Sequence, residues 1–223
     1  MKNIFVFAFC IAIAALSAQS DIKQIESFRG VSFSGNVDIE LIPGDKEGYV
    51  VTQDHEDLKI DVKDRVLKIS LNKVGRVFNN NKAATVTVYY ENLSSIKVNA
   101  GAQLSHQGVC HFDEMKMRFG SGATGKLEVE GNHLDAGTGE GAVVSLSGKV
   151  KSLQAQSSTG AHLKASRLDS DNTDVDADTG GVASVVANKS IEARASLGGT
   201  ISYQGNPEKF DVKETLGGNI SGH

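Results

Sequence analysis

The sequence predicts an all-β fold, a β-solenoid or right-handed β-helix-like stack with rungs of about 19 residues. Three observations carry that prediction. A glycine followed by Ala or Gly returns seven times, at Gly101, Gly122, Gly141, Gly160, Gly180, Gly198 and Gly217. The position five residues before each of them is apolar in all seven: Ile96, Met117, Ala136, Ala155, Val175, Ala193 and Val212. The segments on either side alternate with period two, which is the strand period and not the helical one.

Each part of the repeat has a physical reason. Seven residues before the glycines stand Ser94, Met115, Leu134, Leu153, Thr173, Ile191 and Phe210, five of them apolar; five residues after stand His106, Leu127, Leu146, Ala165, Val185 and Tyr203. Offsets that differ by two put side chains on one face of a strand, so each rung is expected to hold one strand before the glycine and one after it. Stacked corners leave little room for side chains, and glycine tolerates positive φ. A β-sandwich with evenly spaced turns is the competing reading, but it leaves the unbroken apolar column unexplained.

The N-terminal half is built differently. Phe28 to Ile42 alternates up to a Pro43-Gly44-Asp45 turn; Tyr49-Val51, Leu58-Val62, Val66-Leu71 and Ala84-Tyr90 follow, with Asn79-Asn80-Asn81-Lys82 as a polar loop. These read as irregular antiparallel hairpins with one solvated face, sharing the core of the repeats. Three segments are therefore expected: a signal peptide at 1–18, an N-terminal β segment at 19–92 and the repeat solenoid at 93–223. The signal rests on Lys2, the apolar run Ile4 to Leu16 and small residues around Ala18, a run too short to span a bilayer as a helix. Cys10 within it lacks the neighbours of a lipidation site. Beyond it no segment is apolar enough for a membrane-spanning helix, so an exported chain is expected, periplasmic, on the outer surface or secreted. Removing the signal leaves Cys110 alone, so no internal disulfide is expected.

Composition narrows function. Among 223 residues, 23 basic and 27 acidic side chains give a net charge of -4, which argues against a nucleic-acid binder. Trp is absent, so the aromatic platforms common in saccharide clefts are thin. Asp169, Asp171, Asp174, Asp176 and Asp178 crowd together, and Asp174-x-Asp176-x-Asp178 opens like an EF-hand loop. However, Thr179 stands where that loop needs Gly, and Val185 where it needs a bidentate Glu. The repeat register instead points Val175 and Ala177 inward, so a solvated acidic stripe is the expected reading, with a calcium site on Asp174, Asp176 and Asp178 as its competitor. His106 and His111 flank Cys110, with His133 and His162 elsewhere; this falls short of zinc-ligand spacing, and His106, at an inward offset, is expected to be hydrogen-bonded and partly buried. No third group marks Cys110 as a nucleophile, and no cofactor motif is present. Arg167 near Asp169 and Asp171 is the one grouping an enzyme of the polysaccharide lyase or hydrolase kind could use.

The opening Phe28-Arg29-Gly30-Val31 with Gly35-Asn36-Val37-Asp38-Ile39, a hairpin segment and the Gly-Ala/Gly-Gly repeats together resemble the autotransporter-adhesin head GIN domain family, over about residues 22 to 223. The resemblance implies a β-helix-like fold and supplies no catalytic residues. The expectation is an exported, non-catalytic adhesin-like or binding module of the cell envelope, meeting a protein or glycan on a surface. Self-association through open solenoid edges is also expected. A β-helix carbohydrate-active enzyme and a purely structural envelope protein are the alternatives.

Overall fold

The computed structural model describes residues 22–71 and 83–223; the signal segment 1–18 and the Asn79–Lys82 loop lie outside the described residues. Among the described residues every regular element is a strand. The chain opens with Lys23–Gln24 (β1), Gly30–Gly35 (β2), Val37–Pro43 (β3), Gly48–Gln53 (β4), Leu58–Lys63 (β5), Val66–Leu71 (β6), Ala84–Tyr90 (β7) and Ser95–Asn99 (β8). Four long strands follow: Gln103–Phe119 (β9), Thr124–Thr138 (β10), Val143–Ser157 (β11) and His162–Ala177 (β12). Five short ones close the chain: Val182–Val186 (β13), Ser190–Ala195 (β14), Thr200–Gln204 (β15), Lys209–Glu214 (β16) and Asn219–Gly222 (β17).

The repeat is a parallel stack in the register of the glycines. Ala136, Ala155, Val175, Ala193 and Val212 are successive Cα partners, and the first four of them are buried. At every corner the glycine and the residue before it both have positive φ, from 68° to 79° at the glycines and from 48° to 54° at Ala100, Ser121, Glu140, Thr159, Thr179, Leu197 and Leu216. Two consecutive left-handed residues reverse the chain tightly. The turn is closed by bonds such as Ala123 N–H to the Gly120 carbonyl at 3.1 Å, and neighbouring corners are tied by bonds such as Gly122 N–H to the Glu140 carbonyl at 2.9 Å. The next position is a buried Ala in four rungs. It is Gly181, Gly199 and Gly218 in the last three, where a Cβ would come within 2.2–2.3 Å of a backbone oxygen of the preceding rung.

The long strands contain more than the two expected segments. Between the strand after one glycine and the strand before the next lies a middle ladder, in which Val109–Phe112, 128–131, 147–150 and 167–170 pair in parallel. The chain bends at Asp113, Asn132 and Lys151, which are skipped in the pairing, and the buried set there changes parity, as from Val129 to Leu134 in β10. A count in twos from the glycine loses phase at that bend, which is why the middle ladder is invisible to it. It stops at β12: Asn188 N–H bonds the Ser170 carbonyl and Lys189 N–H the Asp171 carbonyl, both by direct turn contacts. Rungs are three-sided in β9–β12 and two-sided after it.

The N-terminal half adds rungs to the same core. β2 pairs in parallel with both β6 and β8, and β3 with both β7 and β9, so the first rung of the chain sits inside the stack. The antiparallel reading holds for the outermost strands alone. β5 lies on β6 through the positive-φ pair Asp64-Arg65, β4 lies on β7, and β1 lies on β4. Together they cover the N-terminal end. At the other end Phe210 is 59% exposed and Leu216 76% exposed.

Candidate functional site

The face formed by the strands preceding each glycine carries register-aligned polar side chains. Glu114, His133, Ser152, Asn172, Ser190 and Lys209 are successive ladder partners, and so are Lys116, Asp135, Gln154, Asp174, Glu192 and Asp211. These stand eight and six residues before the glycines, flanking the inward position at seven. Alternation forces them outward, and the parallel register forces each to stack on its counterpart one rung away, ~4.8 Å along the axis. Over this face lies a trough of about 610 Å³ running from Ser94 to Asp174. A second hollow of about 360 Å³ shares Ser152 and Asp174 with it and reaches Phe210.

Two of the carboxylates lining the trough, Asp135 and Asp174, are held in ion pairs. Arg118 donates to the Asp135 carboxylate at 2.6 Å and to the Asp135 carbonyl at 3.1 Å, with Lys116 Nζ 3.9 Å from the same carboxylate. Arg194 lies 3.3 Å from Asp174 and 3.5 Å from Asp176 and also contacts Glu192. Burial, reinforced by the Asp176 charge and opposed by Arg194, holds the Asp174 carboxyl above the usual carboxylate range. At the bend Lys189 donates to Asp171 at 2.8 Å, and that bond, aided by Lys149 and Lys151, holds the Asp171 carboxyl below its ordinary value.

This arrangement sorts the candidates named from sequence. Asp174 and Asp176 share the outer side of β12, and a guanidinium from the next rung already stands against both. Among the described residues no group of three or more His, Cys, Asp or Glu is placed to hold a metal ion. Arg167 and Asp169 stand exposed on the middle ladder, around the bend from the trough, and Asp171 is engaged by Lys189. The histidines are scattered: His133 lines the trough, His111 faces Glu130 at 3.6 Å, and His162 begins β12.

His106 and Cys110 do come together, around a residue that sequence reasoning passed over. Tyr90 Oη lies 2.5 Å from His106 Nε2, and His106 Nδ1 lies 3.0 Å from the Gly108 carbonyl. A carbonyl only accepts, so Nδ1 carries the proton and Nε2 accepts from the Tyr90 hydroxyl. Burial lowers the His106 pKa and raises those of Tyr90 and Cys110. A neutral imidazole and a protonated thiol behind Tyr90 form a packed polar plug and not an activated nucleophile. The glycine spacing hinted at it: Gly101 to Gly122 is the longest rung, and its two extra residues form the bulge at 106–108, where pairing jumps from Lys126–Ser105 to Glu128–Val109.

Residues 27–207 match the family described as "Putative auto-transporter adhesin, head GIN domain". No curated protein matches the chain. Among solved structures, one described as a putative adhesin from Bacteroides fragilis superimposes with a TM-score of 0.82 at 16% identity, covering 91% of this chain and 95% of that one. A protein from Parabacteroides distasonis described as a putative lipid binding protein gives 0.70 at 18% identity over the same shares. A putative adhesin from the same species gives 0.67 at 18% identity, again over 91% and 95%. At these identities the likeness is one of fold.

Proposed function

The chain belongs to the auto-transporter adhesin head GIN domain family, and from that premise we propose that it is an exported, non-catalytic binding module of the cell envelope whose trough receives an extended polar polymer, a glycan or a polypeptide strand. The observation that carries this reading is the alignment of outward polar side chains over six strands, Glu114/Lys116 to Lys209/Asp211, along two adjoining hollows that share Ser152 and Asp174. A polymer lying along the solenoid axis meets a donor or acceptor about every 4.8 Å, a spacing set by the strands themselves. No single residue dominates, and affinity would come from many weak polar contacts.

Two alternatives are less well supported. A lyase or hydrolase of this kind uses a pair of carboxylates free to exchange protons with a bound substrate, whereas of the three carboxylates lining the trough, Glu114, Asp135 and Asp174, two are each committed to an arginine. The lipid-binding description of one neighbour is not carried over, because the trough is polar and the interior is filled by buried side chains such as Leu134, Leu146 and Leu153.

The test is a glycan array and a capture screen on cell-surface extracts, run with the wild type and a His133→Ala/Gln154→Ala variant, alongside a reducing-end release assay on the polysaccharides that score. Binding that the variant weakens about tenfold or more supports the trough. Binding unchanged by the variant removes the trough from the reading, and release of reducing ends would make the protein an enzyme.

A further inference from the structure

The two edges of the sheet face that carries the trough match each other. Its outermost strand at the N-terminal end is β5, which reads Lys59-Ile60-Asp61-Val62-Lys63; at the C-terminal end it is β16, which reads Lys209-Phe210-Asp211-Val212-Lys213. Among the described residues β5 pairs with β6 and β16 pairs with β14, and the other edge of each is open. We propose that these edges bind each other in successive copies of this chain, β16 of one molecule adding to β5 of the next, so that the solenoids associate head to tail.

The strand directions allow it. β16 runs with the parallel stack and β5 runs against it, so two copies stacked in the same orientation bring β16 and β5 together as an antiparallel pair. Residues opposite each other in such a pair point to the same face. Ile60 stands across from the buried Ile69, and Phe210 across from the buried Ile191, so both face inward; Lys59, Asp61, Lys209, Asp211 and Lys213 face outward. Setting Phe210 opposite Ile60 then places Val212 opposite Leu58, Lys209 opposite Asp61, Asp211 opposite Lys59 and Lys213 opposite Asp57. The five central pairs are apolar with apolar or cation with anion; beyond them the register sets Val62 against Glu208 and Glu214 against Glu56.

Within its own molecule β16 lacks that complementarity. Asp211 is the ladder partner of Glu192, and Lys213 that of Arg194. Like charges directly opposite one another are unfavourable in a sheet, and a second copy supplies the opposite charges. Phe210 is 59% exposed at an offset that is buried in the five rungs before it, from Met115 to Ile191, so it is a core side chain without a cover. A two-fold pairing of β16 with itself fits less well. With Asp211 on the axis it opposes Asp to Asp and, twice, Lys209 to Lys213; with Val212 on the axis Phe210 meets Glu214 twice; with Phe210 on the axis Val212 meets Glu208 twice, whereas the β16–β5 pairing sets an apolar residue against an acid once, at its end. The heterologous contact does not close on itself, so it produces open chains of molecules.

Sedimentation velocity on the purified protein from micromolar to millimolar concentration tests this. The wild type should form species larger than the monomer in a concentration- and salt-dependent way. Asp211→Lys and Lys59→Asp should each weaken association about tenfold or more, and an equimolar mixture of the two should restore it, because the swapped edges are again complementary. Asp211→Lys faces Glu192 in the monomer, so its unfolding midpoint should not fall. Lys213→Cys mixed with Asp57→Cys should give a disulfide-linked dimer on mild oxidation. A wild type that stays monomeric throughout, or a mixture that fails to recover, overturns the proposal. So does efficient cross-linking of Val212→Cys on its own, which would mean two-fold pairing instead.

Discussion

Leu153 and Phe210 stand at the same offset from a corner glycine, on the same ladder, and they are 1% and 59% exposed. One has a rung on either side; the other has a rung on one side only. The same contrast separates Leu134, Leu146 and Leu163, all buried, from Val212 and Ile220, which are half-covered. Burial in this molecule is conferred by neighbouring rungs and not by the residue's place within its own. A solenoid is accordingly stabilised by nearest-neighbour interfaces, and its ends are weaker than its middle in a graded way.

That comparison can be broken most directly by truncating the two ends of it. Leu153→Ala should cost about 2–5 kcal/mol, the range for a large aliphatic removed from a packed core. Phe210→Ala, measured on dilute monomer, should cost under ~1 kcal/mol, since much of its surface is already wet. Equal losses in chemical denaturation would contradict the nearest-neighbour account.

The corners sharpen it. Gly199→Ala should destabilise by about 1–3 kcal/mol, because the new methyl would sit 2.2 Å from the Ala177 carbonyl oxygen. Thr179→Gly should stabilise by up to ~1 kcal/mol, since a β-branched residue at φ 48° is held in a conformation it disfavours. Thermal melts of the two variants should move in opposite directions although they are made at neighbouring corners.

The smallest effects are electrostatic. His106, with its pKa depressed by burial, binds fewer protons folded than unfolded. Its contribution is therefore present above the unfolded value of ~6.5 and lost as pH falls from there toward the folded one. His106→Asn should flatten that part of the stability profile. Asp174 has the opposite sign: its pKa is raised, so ionisation costs stability at neutral pH. Asp174→Asn should then gain at most ~0.5 kcal/mol at pH 7, a gain that disappears below pH ~4, where the native carboxyl is protonated.

The corners and the inward columns were legible because they repeat: one glycine register placed Ala136, Ala155 and Val175 in the core. The middle ladder was not, because each bend at Asp113, Asn132 and Lys151 resets the alternation. The parallel pairing of β2, β3, β6 and β7 was missed for a related reason. An alternating strand looks the same whether its partner runs with it or against it, and the register partners of Val31 are Leu67 and Ile96, both far away in sequence. The trough could have been found. Its Lys116–Asp135–Gln154–Asp174–Glu192–Asp211 column stands one residue before the apolar column that defined the repeat, and it was overlooked because only the inward offsets were followed. Arg194, which stands against Asp174 and Asp176, sits one rung away on that same grid.

The two-sided rungs at the C-terminal end have a mechanical consequence. Their hydrogen bonds run along the stack, so tension applied through His223 loads them one rung at a time, as in opening a zip, and not all at once as in shear. Each detached rung would release the 18 or 19 residues that separate Gly180, Gly198 and Gly217, about 60–70 Å of contour length at ~3.5 Å per residue. A solenoid that yields in such steps lengthens under load one rung at a time, and it recoils by restacking each rung on the one that stayed behind.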